Sequence, residues 1–257
     1  MGKGLIPTLI ERLLGTVHPS RLLVASDFDG TLSEIVGEPD RAHLLPAALD
    51  ALHDLRATVA ALAVISGRAQ ADLERLVDLE GVRRLGDYGQ PAAGPPDPAL
   101  ARFRPELEAL LEPVAGARLE VKPGALAVHF RERPAAAAEV LRAVAVPAAK
   151  AGLEVRPGRM VVEILPRGWD KARALQALVA ETACQGVVFL GDDYGDRGCF
   201  EYLARLELPH LGVGVASAET PAEIFAACDL VVEGPQAAAA FLSELATAAR
   251  RRGRADP

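Results

Sequence analysis

Short all-apolar runs alternate with amphipathic stretches over the first third of the chain. Residues 22–26 (LLVAS) are an apolar run bounded by charge, the pattern of a strand buried on both faces. Residues 46–59 follow, with Leu49, Leu52, Leu55 and Val59 on one helical stripe. Residues 63–65 predict a second buried strand. Residues 69–77 predict a second helix, with Leu73, Leu76 and Val77 on one face. Strands alternating with helices predict a parallel sheet covered on both sides.

The pattern changes at 91–98 (PAAGPPDP), a segment dense in proline and glycine that predicts a linker. Beyond it the chain predicts a helix near 105–114, strands near 118–122 and 126–131, a helix near 135–151, and strands near 153–156 and 160–165. The strand at 126–131 alternates. Leu126, Val128 and Phe130 share one face; Ala127, His129 and Arg131 share the other. Such alternation predicts an antiparallel sheet with one wet face. After Pro166 the first pattern returns: a helix over 170–182, a strand over 187–190, a helix over 197–205 and a strand over 210–215. A short helix over 223–227, a strand over 230–232 and a terminal helix over 236–250 complete it. The expected fold is α/β: a parallel-sheet core over 1–92 and 167–257, with an α/β domain over 93–166 inserted into it.

Composition narrows the function. The 257 residues are 50% apolar and 25% charged, as in a globular protein with a large core. With 28 Lys+Arg against 35 Asp+Glu the formal net charge is −7, and aromatics are 4%. No nucleic-acid partner is expected, because such partners call for a basic surplus or stacking aromatics. An acidic protein that handles an anionic substrate must build a local cationic site or recruit a metal. Cys184, Cys199 and Cys228 show no paired spacing and read as small buried hydrophobes. No apolar run approaches the ~18–20 residues of a membrane span. The start, MGKGLIPTLIERLLG, carries Glu11 and Arg12 and reads as an amphipathic helix, not a signal peptide. Ile6 stands where a myristoylation signal needs Ser or Thr. A cytoplasmic protein without a membrane partner is expected.

The chemistry concentrates at strand ends. Asp27-Phe28-Asp29-Gly30-Thr31-Leu32 follows the first strand, where open parallel sheets bind ligands. A carboxylate is ionised at neutral pH and is a nucleophile without a base, provided a cation offsets the charge of an anionic target. A second aspartate can protonate a leaving oxygen. Asp-Gly is also a common turn dipeptide. Gly191-Asp192-Asp193-Tyr194-Gly195-Asp196 follows the strand at 187–190. Carboxylates this close repel one another and call for a hard cation, Mg²⁺ first; a solvated acidic loop is the alternative. Ile65-Ser66-Gly67-Arg68 follows another strand and is expected to open a helix, whose N-terminal amides suit a phosphate. Lys171 stands in the first turn of a helix, where the dipole disfavours a cation unless an anion is near. Ser66 reads equally well as an N-cap, and Lys171 as a solvated surface lysine.

DFDGTL, ISGR, a helix-borne lysine and GDDxxxD, in that order, resemble the four motifs of the haloacid dehalogenase superfamily of aspartate-dependent phosphohydrolases. The resemblance implies a Rossmann-like core with an inserted α/β cap that sets specificity. It makes Asp27 the nucleophile and Asp29 the general acid/base. Thr31, Ser66, Gly67 and Lys171 would hold the phosphoryl group. Asp27, Asp192 and the main-chain carbonyl of Asp29 would ligate Mg²⁺, with Asp193 and Asp196 in support.

A finer resemblance is to trehalose-6-phosphate phosphatases. It rests on Glu120-Val121-Lys122, Val128-His129-Phe130-Arg131, Gly158-Arg159-Met160-Val161-Val162-Glu163 and Trp169-Asp170-Lys171. It implies sugar contacts from Glu120, Lys122, His129, Arg131 and Glu163. Glu120 with Lys122 also reads as a surface pair, and His129 as a packed side chain. The chain departs from that family at Gly86-Asp87-Tyr88-Gly89 and at Gly195-Asp196-Arg197-Gly198-Cys199-Phe200. Gly212-Val213-Gly214 lacks the third glycine of a dinucleotide fingerprint. The resemblance implies a monomer or weak oligomer of trehalose biosynthesis that hydrolyses trehalose 6-phosphate with Mg²⁺ through an aspartyl-phosphate. A phosphatase for another sugar phosphate, such as a glycosyl-phosphoglycerate, a phosphomutase and a non-catalytic regulatory relative are the alternatives.

Overall fold

The computed structural model describes residues 4–90, 97–122, 124–158, 160–218 and 220–255. The chain divides into two compact units, Met1–Gly89 with Lys171–Pro257, and Gln90–Asp170.

The first unit is built on a six-stranded parallel sheet. Its strands are β1 (Leu22–Ser26), β2 (Ala61–Ile65), β3 (Val82–Leu85), β8 (Gly186–Gly191), β9 (His210–Ala216) and β10 (Leu230–Glu233), in the order β10-β9-β8-β1-β2-β3. β1 is buried throughout, so its successive side chains feed two cores. Leu22 and Val24 pack with α1 (Leu5–Thr16), α2 (Pro46–Arg56), α3 (Gln70–Leu76) and α8 (Gly234–Ala255). Leu23 and Ala25 pack with α6 (Lys171–Thr182) and α7 (Arg197–Leu203). Each of the fully buried leucines and Val24 is worth ~1.5–3 kcal/mol of transfer free energy.

Register brings the chemistry together. Ser26 lies opposite Val64 of β2 and Leu190 of β8. The segments that leave these strands therefore emerge at one carboxyl edge. The chain turns from β1 to β2 on one side and places β8 on the other, the topological switch point at which open α/β sheets bind ligands.

The second unit carries a four-stranded antiparallel sheet of order β4-β5-β7-β6. Its strands are β4 (Arg118–Val121), β5 (Leu126–His129), β6 (Leu153–Gly158) and β7 (Val161–Pro166). Leu126, Val128, Val162, Ile164 and Leu153 form a core with Phe103 and Leu107 of α4 (Pro98–Leu111) and Val140 and Val144 of α5 (Ala137–Lys150). The alternate face carries the polar side chains.

Several expectations need correction. The expected elements omit β3, because Arg83 and Arg84 interrupt its apolar pattern, which an edge strand tolerates. α4 begins at Pro98, not near Pro105, because Asp97 caps it by accepting a 2.7 Å hydrogen bond from Ala99 N; Pro105 lies inside the helix. The linker expected over 91–98 falls mostly on 91–96, outside the described residues. Its last residues, Asp97 and Pro98, start α4. The short helix expected over 223–227 is a 3₁₀ turn, Ala222–Phe225. Cys184 and Cys199 are buried as expected, but Cys228 is only half-buried. No helix among the described residues is long and apolar enough to cross a membrane.

Candidate active site

Asp27 continues the β1 ladder, its amide donating to Leu190 O at 2.8 Å. A tight turn follows. Phe28 O accepts from the amides of Thr31, Leu32 and Ser33, while the Phe28 ring is fully buried beneath. Gly30 sits in the turn with φ of 79°. A Cβ there would lie 2.1 Å from Asp192 Oδ2, so only glycine lets the Asp192 carboxylate approach this backbone. The two acidic motifs thus meet across the β1–β8 seam.

Oxygen atoms of Asp27, Asp192, Asp193 and Asp196 lie within 4.8 Å of one another. The Lys171 ammonium lies against three of them, 2.8 Å from Asp27 Oδ1, 2.9 Å from Asp196 Oδ1 and 3.9 Å from Asp193 Oδ1. Lys171 and Asp196 are 3% and 0% exposed. The other oxygen of Asp196 accepts from the amides of Asp192 and Asp193 at 2.9 and 3.1 Å. Asp196 is therefore the brace of this loop: it fixes Lys171 on one side and the acidic pair on the other. The lysine opens α6, where its charge opposes the helix dipole; the two carboxylates offset that cost.

The charge does not balance. Burial pushes the Asp27 carboxyl up to about 6 against the pull of Lys171, and nearby Asp193 adds to the push. Burial likewise raises Asp196 well above the carboxylate range. Burial opposes the charge on Lys171, but Asp196 and Asp27 outweigh it and hold the ammonium protonated. Four carboxylates around one ammonium, all oxygen donors, fit a hard divalent cation. Asp27 and Asp192, with Asp193 and Asp196 beside them, are side chains that could hold it. Thr31 Oγ1, in the turn after Asp27, is buried and makes no hydrogen bond in the structure. A buried hydroxyl in that state fits a bound oxyanion.

Asp29 is not one of the clustered carboxylates. Its two oxygens accept from Arg68 Nε and Nη2, each at 2.7 Å. The Asp29 hydrogen bond keeps Arg68 charged although burial opposes it. The expected phosphate-binding turn also differs from its sequence reading. Ser66 does not open a helix. α3 starts only at Gln70, with Ala69 as its N-cap. The turn at 66–68 is instead tied to 86–88: Tyr88 N donates to Ser66 O at 2.9 Å and Asp87 N to Arg68 O at 2.7 Å. Asp87 and Tyr88 both take positive φ, 48° and 60°. A Cβ on Gly67 would meet the Tyr88 hydroxyl at 2.7 Å, so Gly67 leaves the turn bare of side chain. The sequence shows Arg68 only as the last letter of the ISGR motif. An arginine beside glycine at a strand end was the signal available, but its partner is 39 positions away.

The expected sugar contacts lie in the second unit. Glu120 of β4 stands opposite Ala127 of β5, which stands opposite Glu163 of β7, itself opposite Arg156 of β6. Lys122 Nζ lies 2.9 Å from Glu163 Oε1. His129 Nε2 donates to Glu120 Oε2 at 2.7 Å, which with Lys122 holds the Glu120 carboxyl below its ordinary range against burial. Arg131 falls beyond β5 and is exposed. The structure thus joins Lys122 with Glu163 and His129 with Glu120 on one sheet face.

A model of the trehalose-phosphatase family matches residues 25–227. The chain belongs to that family. The match takes in both acidic motifs, Ser66, Lys171 and the second unit's sheet. The trehalose-phosphate phosphatase of Mycobacterium tuberculosis is 40% identical over 117 residues, covering 41% of this chain and 30% of the relative. The chain thus matches about a third of that relative's length. The C. albicans trehalose-6-phosphate phosphatase C-terminal domain superposes with a TM-score of 0.79 over 95% of this chain and 97% of that one, at 22% identity. A haloacid dehalogenase-like hydrolase from Bacteroides thetaiotaomicron superposes with a TM-score of 0.62 over 89% and 98%, at 15% identity. These likenesses are of fold, and the fold is the α/β haloacid dehalogenase type that the motif order implies.

Proposed function

We propose that the chain is a Mg²⁺-dependent phosphatase that converts trehalose 6-phosphate to trehalose and phosphate through an aspartyl-phosphate. One observation carries the reading: a buried carboxylate, Asp27, faces a lysine within a cluster of acids at a sheet's switch point. Family membership supports the substrate.

In this reading Asp27 Oδ attacks phosphorus in line, forming the Asp27–phosphorus bond as the sugar oxygen departs. Asp29 gives that oxygen its proton. Lys171 and Thr31 hold the phosphoryl oxygens, with the Ser66–Gly67 turn beside them. Asp29, now ionised, takes a proton from the water that splits the acyl phosphate, which restores both aspartates. A divalent cation held by Asp27, Asp192 and the main-chain carbonyl of Asp29, with Asp193 and Asp196 in support, would supply charge neutralisation for the approaching anion. Asp196 keeps Lys171 and the acidic loop in place throughout. Glu120, Lys122, His129, Arg131 and Glu163 are the proposed partners of sugar hydroxyls, charged groups being strong partners for a polyol.

The test is phosphate release from a panel of sugar phosphates, including trehalose 6-phosphate and a glucosyl-phosphoglycerate, with Mg²⁺ and with EDTA. Trehalose 6-phosphate should be the best substrate, EDTA should abolish release, and Asp27→Asn should be inactive with an unchanged circular dichroism spectrum. Normal activity in Asp27→Asn overturns the mechanism. A better substrate elsewhere in the panel, or phosphate retained on an isomerised sugar, overturns the assignment.

A further inference from the structure

We infer that Arg68 is a positioning residue that aims the proton of Asp29 at the leaving oxygen; the inference rests on the reading above and deepens it. Arg68 Nε and Nη2 each donate to a different oxygen of Asp29 at 2.7 Å. A guanidinium is planar, carries donors only and cannot receive a hydrogen bond. When Asp29 carries a proton, that O–H therefore cannot point at Arg68. It must point away from Arg68, and the carboxyl oxygen still bonded to Arg68 serves as its pivot. A lysine, a point charge with rotating donors, imposes no such direction.

Arg68 is itself fixed on three sides. Its guanidinium carbon lies 5.5 Å above the Phe28 ring, and Phe28 is fully buried. Its amide donates to Ser66 Oγ at 3.2 Å, and its carbonyl accepts from Asp87 N at 2.7 Å. The Arg68 side chain is 13% exposed and that of Asp29 is 37% exposed, so the acid reaches outward from a buried support. The strained Asp87–Tyr88 turn thereby acquires a use. Left-handed residues persist where surrounding contacts over-determine them, often at functional sites; here those contacts hold the backbone of Arg68.

The test separates aiming from mere support. The parameter kcat/KM reports steps up to departure of the leaving group. A sugar oxygen needs a proton to depart, whereas 4-nitrophenolate departs without one. In the full-length chain with Mg²⁺, Arg68→Met should lower kcat/KM for trehalose 6-phosphate by about 10²-fold, the scale of general-acid catalysis. For 4-nitrophenyl phosphate the loss should stay under about threefold. Asp29→Asn should show the same selectivity, and Arg68→Met added to Asp29→Asn should cost nothing more. Arg68→Lys should recover only part of the loss. Equal losses on both substrates, or an additive double variant, overturn the inference. Failure of the parent reading looks different: the wild type then leaves trehalose 6-phosphate intact, and glucose 6-phosphate takes its place in the same comparison.

Discussion

The two polar regions of this chain treat charge in opposite ways. In the second unit, polar side chains on the open sheet face meet in pairs, Lys122 with Glu163, Glu120 with the His129 imidazole and Arg156 with Glu154. Each pair is at least partly wet, and such pairs are worth ~0–1 kcal/mol. At the carboxyl edge of the parallel sheet, a cluster of four acids holds one buried ammonium, which pairs with three of them. Nothing about folding favours that surplus, since burying an unbalanced charge costs several kcal/mol per ion. A protein keeps it because the site is completed by something else. In the proposed function the paired face meets the neutral sugar, and the acidic cluster meets a cation and the phosphate.

The contrast is broken most severely at Lys171. Lys171→Met should lower turnover by about 10³-fold, the upper range for loss of an electrostatic stabiliser. Without added metal it should also destabilise the chain by about 3–5 kcal/mol, because Asp27 and Asp196 are left buried and uncompensated. Chemical denaturation in EDTA measures this. A stability change below 1 kcal/mol would show that the acids are not held against their repulsion by this lysine.

A metal titration sharpens the same contrast. Mg²⁺ at about 100 times its dissociation constant should stabilise the wild type by ~2.7 kcal/mol, raising Tm by about 5–10 °C. Asp192→Asn should remove most of that shift, and Glu163→Ala should leave it whole. Gly30→Ala should behave like a milder Asp192→Asn, since its methyl falls on the Asp192 carboxylate. Equal shifts in the wild type and Asp192→Asn would move the cation away from this cluster.

How far the sequence alone reaches is clearest from single elements. β1 was legible because five consecutive buried residues leave an apolar run that chemistry brackets on both sides. β3 was hidden because Arg83 and Arg84 are compatible with an edge strand but erase its period. The meeting of Asp27 with Asp192 follows from a parallel sheet that sends both strand ends to one edge, and strand order can be guessed from βα alternation. The Asp29–Arg68 pair could not be guessed. It depends on which rotamers two turns permit, and the Ser66 turn differs from its expected helical start because 86–88 holds it by backbone hydrogen bonds.

The smallest expected effect tests the balanced side. Glu163→Ala removes one partner of Lys122, but Lys122 is 24% exposed and water can solvate the released ammonium. Stability should fall by no more than about 1 kcal/mol. If the sheet face reads sugar hydroxyls, kcat/KM for trehalose 6-phosphate should still drop about 10- to 100-fold, the loss of one or two charged hydrogen bonds. Turnover of 4-nitrophenyl phosphate, which offers no sugar, should change less than about twofold. Parallel losses on the two substrates would mean that the pairs on this face serve the fold alone. The difference between the two regions would then be one of burial and not of purpose.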